Sequence, residues 1–353
     1  MGGSASRTGL VYDTRMLEHV CETDHYEQPA RITAIYQELK RRGLVKRCVR
    51  IPARLLTKRE CLGVHTLDHW KRIKSIKETK QETLDSWAEK EDSLYACPET
   101  TKAALLSAGS VCELTQQVMS GKIQNGFAIV RPPGHHAEAA VPSGFCFFNN
   151  VAIAAQQARA RGLERILIVD WDIHHGNGTQ SMFYETSEVL YFSTHRYNHG
   201  DFYPNWKGGN SDYVGSGKGT GYNVNVAWNQ DQVGDAEMLY VWKKLLIPLA
   251  RSYKPELILI SAGFDSCRGD PLGECDISPQ CFGHLTRMLM EVGNVVVALE
   301  GGYNLESIAQ AGSYCMKALV GQSLPSLRPK KIHRDAQTLV DNLMNRMRIW
   351  HSK

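Results

Sequence analysis

No two of the ten cysteines (21, 48, 61, 97, 112, 146, 267, 275, 281 and 315) form a CxxC pair, which argues against a zinc finger and a thioredoxin-type redox centre. They read as reduced, mostly buried thiols of a cytoplasmic or nuclear protein. An excess of one charge is missing too: 41 Lys and Arg against 37 Asp and Glu leave a net charge of +4, little reason to expect a nucleic-acid surface. No apolar run approaches the roughly 18 residues of a membrane span. The leader MGGSASRTG also lacks the apolar region of a secretion signal, so neither nucleic acid nor membrane is expected as a partner. Met1, Gly2 and Ser6 match the myristoylation pattern, but residues 1–8 read as an expression leader on an excised domain spanning 9–353. A phosphate loop is absent as well. In VGSGKGTG (214–221) Lys218 precedes Gly219 and the strand-like YNVNVAW follows, where a phosphate loop needs Gly-Lys-Ser/Thr and a helix; it reads as a mobile surface loop.

What is present centres on residues 165–178, RILIVDWDIHHGNG. Ile166, Leu167, Ile168 and Val169 form the short apolar run of a strand covered on both faces. Asp170, Asp172 and His174 then follow at i, i+2 and i+4, so that an extended chain sends all three side chains to one face. Open α/β sheets keep their ligands just past strand ends. A polar turn whose aspartates cap a following helix is the bland alternative.

Across its 353 residues, 42% of them hydrophobic, the chain alternates apolar runs with helical patterns, as repeated βα units do. Strands are expected at 9–12, 49–51, 127–130, 166–169, 189–193, 257–261 and 295–299, with a further strand in YNVNVAW. Helices are expected at 29–42, 99–120, 150–161, from 235 through Leu249 with a bend at Pro248, and from Pro279 to a stop at Gly293. Residues 66–90, dense in Lys and Glu, predict a solvated helical face, and the tail a basic helix without catalytic groups.

Four strand ends supply chemistry: His135 and His136 in RPPGHHAE, Asp172 and His174, Asp265 in AGFD, and Tyr303 in EGGYN. Pro132, Pro133 and Gly134 stop regular structure, so both histidines sit on a loop and can face one cavity. Gly301 and Gly302 allow a tight turn and a close approach to a ligand. Two carboxylates and an imidazole suit zinc with an open coordination position, whereas calcium and magnesium prefer oxygen alone. The histidine pair then offers the base.

RPPGHHAE, GFCFFN, VDWDIHHGNGTQ, AGFD and EGGYN together resemble the motif set of the zinc-dependent histone deacetylases, over nearly the whole chain. Within that family the similarity points to class IIb and to the second catalytic domain of a tubulin deacetylase. The resemblance implies a single arginase-like α/β domain with a mainly parallel eight-stranded sheet flanked by helices. It implies zinc on Asp172, His174 and Asp265, His136 as proton shuttle beside His135 held by Asp170, and Tyr303 polarising the substrate carbonyl. It also implies a structural potassium ion near Asp170, Asp172, His174 and Ser193, and a lysine channel walled by Gly144, Phe145 and Tyr203. The expected substrate is an acetylated protein or peptide of the tubulin or histone-tail type.

Some positions depart from the pattern. Tyr203 replaces the phenylalanine of that second domain, which adds a hydroxyl to the channel. Asn177 stands where class I members carry aspartate, leaving His136 a neutral partner. CETDHYEQP (21–29) keeps His25 but differs around it, and Ser93 in EDSLY matches a serine that accepts the substrate amide. Leu272 occupies the rim position where the polyamine deacetylase of the subclass carries glutamate; Glu274 lies beyond that register. Three functions follow as alternatives: a protein lysine deacetylase, a hydrolase of acetylated polyamines or other small amides, and a silent binding module, which would be expected to have lost a ligand or Tyr303.

Overall fold

The computed structural model describes residues 7–230 and 232–351. Residues 1–6, on which the myristoylation pattern of Met1, Gly2 and Ser6 falls, lie outside the described residues. Eight strands alternate with helices in chain order: β1 (Thr8–Val11), β2 (Cys48–Arg50), β3 (Asn125–Ala128), β4 (Ile166–Asp170), β5 (Val189–Arg196), β6 (Asn223–Trp228), β7 (Leu257–Ala262) and β8 (Val295–Leu299). They form one sheet in the order β2-β1-β3-β8-β7-β4-β5-β6, and every pairing is parallel. All strand C-termini therefore leave the same edge.

Each strand from β3 to β8 is buried along nearly its whole length, so both faces of the sheet are covered, which is why these segments read as continuous apolar runs. Helices Thr100–Met119 and Asn150–Arg159 pack on each other and on the central strands, and helices Ala30–Arg41, Pro279–Met290 and Leu305–Leu319 form a second packed group. Among the described residues no helix is long and apolar enough to cross a membrane.

Three local expectations change. Residues 66–90 make two helices, Leu67–Ser75 and Gln81–Ala88, not one solvated face, and they bury His69, Ile73, Ile76, Leu84 and Ala88. The reason is a polar anchor that charge density hides: His69 Nε2 bonds the Phe147 carbonyl at 2.7 Å. Strand β5 runs to Arg196 because β6 pairs it from Tyr191 through Arg196; the polar His195 is tolerated there because Ser193 Oγ and the Gly209 carbonyl hold its two ring nitrogens at 2.8 Å. Pro248 does not simply bend its helix. The turn before it, Trp242–Leu246, is π-helical between helices Asp235–Val241 and Ile247–Tyr253, which accommodates the missing proline N–H.

Candidate active site

The site rests on adjacency. β3, β8, β7 and β4 are contiguous in the sheet, so the loops after them converge although more than a hundred residues separate them along the chain. Asp172 and His174 follow β4, Asp265 follows β7, Tyr303 follows β8 and the histidine pair follows β3. The aspartates cap nothing: the next helix, Asn177–Phe183, opens at Gly176 without a side-chain cap.

Asp172, His174 and Asp265 are buried, and their ligand atoms lie within 4.8 Å of one another. His174 Nδ1 faces both carboxylates, 3.0 Å from Asp172 Oδ1 and 3.2 Å from Asp265 Oδ2. Each carboxylate is aimed by its other oxygen: Gly301 N–H donates to Asp172 Oδ2 at 2.8 Å and Ile173 N–H to Asp265 Oδ1 at 2.9 Å. Such outer bonds orient metal ligands. Side chains could not come this close. A Cβ on Gly263 would strike the Asp172 carboxylate, and one on Gly301 would strike Asp265. Burial pulls the His174 imidazole down, but its bonds to Asp172 and Asp265 win and hold it at about 9. The negative field that keeps a proton there is the field a divalent cation would occupy, so the donor set fits a metal ion.

His135 and His136 both line the same cavity, ring centroids 4.0 Å apart. His135 Nδ1 lies 3.1 Å from Asp170 Oδ2, which also accepts from the Tyr191 hydroxyl at 3.0 Å. Burial lowers the His135 imidazole, yet Asp172 and Asp170 outweigh it and raise it to about 10. His136 differs. Its Nδ1 lies 2.8 Å from Asn177 Oδ1, while Asn177 Nδ2 donates to Glu138 Oε1 at 2.9 Å. Because Glu138 takes the amide N–H, Asn177 presents its oxygen to His136; Nδ1 must then carry the proton, and Nε2 keeps a free lone pair. Burial and the neighbouring His135 and His174 hold this imidazole well below its ordinary value, in the neutral form a base requires.

A cavity of about 280 Å³ leads down to these groups, lined by Ser93, Pro133, Gly144, Phe145, Phe202, Tyr203, Leu272, Gly301 and Tyr303 together with His135, His136 and His174. Every expected channel residue is among them. Tyr303 stands edge-on to Phe145 at 5.9 Å, and burial pushes its hydroxyl well up, so it stays a proton donor. Leu272 lies at the rim, while Glu274 points to Arg196 at 2.9 Å. His25 packs on Phe145 at 4.9 Å. Asp170 and Ser193 face each other in register on β4 and β5, Asp170 outside the metal-ligand cluster.

Four supporting residues escaped the sequence reading. Phe202 stacks on His174 at 5.1 Å; the aromatic pair FY at 202–203 was the available signal. Glu300 accepts from the backbone N–H of Gly134 at 2.6 Å and His135 at 3.1 Å, tying the histidine loop to the tyrosine loop. Asp270 accepts from Leu272 N–H at 2.9 Å and Tyr303 N–H at 2.6 Å, coupling rim to floor. Glu27, in a stretch read as part of the entrance, is fully buried and bonds Arg131 at 2.7 Å and Arg31 at 3.0 Å.

The geometry has counterparts. The histone deacetylase domain family matches residues 25–319. Histone deacetylase 18 of Arabidopsis thaliana is 43% identical over 346 residues, covering 96% of this chain and 50% of that protein. Polyamine deacetylase HDAC10 of Homo sapiens is 44% identical over 330 residues, covering 91% of this chain and 49% of that protein. The chain thus spans about half the length of these curated relatives. The solved HDA15 HD domain superposes with a TM-score of 0.89 at 38% identity, covering 98% of this chain and 95% of that one. With the match across most of its length and an all-parallel eight-stranded sheet of the same architecture, this chain belongs to the histone deacetylase family.

Proposed function

We propose that the chain is a zinc-dependent hydrolase of N6-acetyl-lysine in proteins, of the tubulin or histone-tail type, and that it resembles class IIb members, the second domain of the tubulin deacetylase in particular. One observation carries this reading: the cavity joins aromatic walls, Phe145 and Tyr203, to a polar floor of His136, His174 and Tyr303, and His174 belongs to the buried cluster with Asp172 and Asp265. An apolar stem ending in an amide needs such a slot. Zinc held by Asp172, His174 and Asp265 would polarise the amide carbonyl and make water nucleophilic near neutral pH.

The protein's own groups do the rest. His136 Nε2 accepts the water proton as oxygen adds to the acetyl carbon, and the Tyr303 hydroxyl donates to the developing oxyanion. His135, beside Asp170, stabilises that charge arrangement. The C–N bond then breaks, the amine takes the proton held at His136 Nε2 as it leaves, and acetate is released. A structural potassium ion beside Asp170, Asp172, His174 and Ser193 belongs to the same proposal, supported by the register of Asp170 against Ser193; activity and Tm indifferent to added potassium would refute it. The ten free thiols support a cytoplasmic, and also nuclear, location, which recovery of the protein solely from a secretory fraction would contradict.

An acetylated polyamine is the competing substrate, because a polyamine deacetylase stands among the relatives. The uncharged Leu272 offers no partner to a distant ammonium, and Glu274 is bonded to Arg196. Comparing kcat/KM for an internal acetyl-lysine peptide and for acetylspermidine decides between them. The peptide should be preferred; a preference for acetylspermidine overturns the protein-substrate reading.

A further inference from the structure

The Tyr203 hydroxyl donates to Asp92 Oδ2 at 3.0 Å. Asp92 sits on the loop that forms the opposite lip, and its backbone is bonded to the other channel wall: Gly144 N–H donates to the Asp92 carbonyl at 3.0 Å, and Phe145 N–H to the Ser93 carbonyl at 2.9 Å. The second carboxylate oxygen of Asp92 accepts from Ser93 Oγ at 2.9 Å. One residue therefore joins both walls, by its main chain to Gly144 and by its side chain to Tyr203. Backbone strain marks the same place: Ser93 at φ 55° and Phe145 at φ 67° both adopt the left-handed region that L side chains rarely occupy. Such conformations persist where the surroundings over-determine them. Burial and the Asp92 carboxylate push the Tyr203 hydroxyl well up, so it remains a donor at any working pH.

We propose that the Tyr203–Asp92 hydrogen bond is a latch across the channel mouth that sets its width and thereby selects acetyl over bulkier acyl groups on lysine. The inference rests on the deacylase reading above. The acyl end of the side chain enters first, so its full cross-section must pass between Phe145 and Tyr203 before any chemistry. A linear stem fits whether or not the latch is closed. A branched acyl group fits only when the walls part, and parting them breaks this bond.

The test measures kcat/KM for two peptides of one sequence, bearing N6-acetyl-lysine or N6-isobutyryl-lysine, on the wild type, Tyr203→Phe, Asp92→Ala and the double variant. The isobutyryl-to-acetyl ratio should rise about 2- to 10-fold in each single variant, the range of one modest hydrogen bond, and no further in the double. A variant that merely folds less well lowers both rates and leaves the ratio alone. A ratio unmoved by Tyr203→Phe, or single effects that multiply in the double variant, overturns the latch. Amide hydrogen exchange provides a readout without turnover: Gly144 and Phe145 should exchange faster in Tyr203→Phe, and unchanged exchange also overturns the proposal. If the wild type hydrolyses neither peptide while exchange responds as expected, the deacylase reading falls and acyl selection falls with it, leaving only the bond across the mouth; turnover of the acetyl peptide with an unmoved ratio overturns the latch alone.

Discussion

The floor of the cavity and its rim are built on different principles. Just behind the floor, Asp172, Asp265, Asp170 and Glu300 are all fully buried, and each is held by hydrogen bonds from backbone N–H groups or buried side chains. Beneath them Arg31 donates to the carbonyls of Gly302 at 2.6 Å and Glu300 at 2.5 Å, so even the loop backbone is braced. At the rim, Asp92, Ser93 and Glu274 are exposed, and the bonds of their side chains to Tyr203, to one another and to Arg196 lie open to water. A fully bonded buried group has one arrangement, because any other leaves a charge unpaired in low dielectric. An exposed one can trade its partner for water at little cost. On the function proposed above, reaction type is accordingly a property of the floor and substrate choice a property of the rim.

Substitutions that break the floor should have the largest effects. Asp265→Ala or His174→Ala leaves at most two protein ligands, so bound metal and activity should disappear together; metal analysis finding a full zinc equivalent in both variants would refute the ligand assignment. Glu27→Ala strands Arg131 and Arg31 in the interior, and removing one partner of a buried pair costs about 3–5 kcal/mol, visible as a lower Tm. Burial raises the Glu27 carboxyl, but Arg131 and Arg31 prevail and hold it well below its ordinary 4.5. A depressed carboxyl stabilises fully above the unfolded value and loses that contribution as pH falls toward the folded one. The Tm gap between wild type and variant should therefore be widest near neutral pH and narrow below about pH 4; a gap that grows on acidification would contradict this.

Tyr303→Phe keeps the ring and deletes the proposed oxyanion donor, so kcat should fall about 10²- to 10³-fold, roughly 2.7–4 kcal/mol, with metal content unchanged. Near wild-type turnover would reduce the tyrosine to a packing role. The smallest effect belongs to the rim. Leu272→Glu should narrow the preference for peptide over acetylspermidine through a partly exposed charge pair of about 1 kcal/mol; an unchanged ratio would remove Leu272 from substrate choice.

The same division explains what could be read in the chain before folding. β4, β7 and β8 are legible because buried parallel strands leave uninterrupted apolar runs, and their polar termini announce Asp172, Asp265 and Tyr303. Phe145, Tyr203 and Leu272 are legible through the resemblance, since nothing in their local pattern separates channel from core. Strand order is not: no residue of β3 indicates that β8 will lie beside it. Glu27 and Glu300 stay hidden for a related reason. A carboxylate reads as exposed until the arginine or backbone amides that satisfy it arrive from distant segments, as Arg131 does for Glu27 and Gly134 for Glu300.

The most direct measurement is hydrolysis of an acetyl-lysine peptide by the protein before and after treatment with a zinc chelator, with zinc then restored. The account predicts acetate release by the untreated protein, loss of activity on chelation and recovery with zinc. Undiminished hydrolysis in protein shown by metal analysis to be free of zinc would contradict it, as would no hydrolysis by the fully zinc-loaded enzyme.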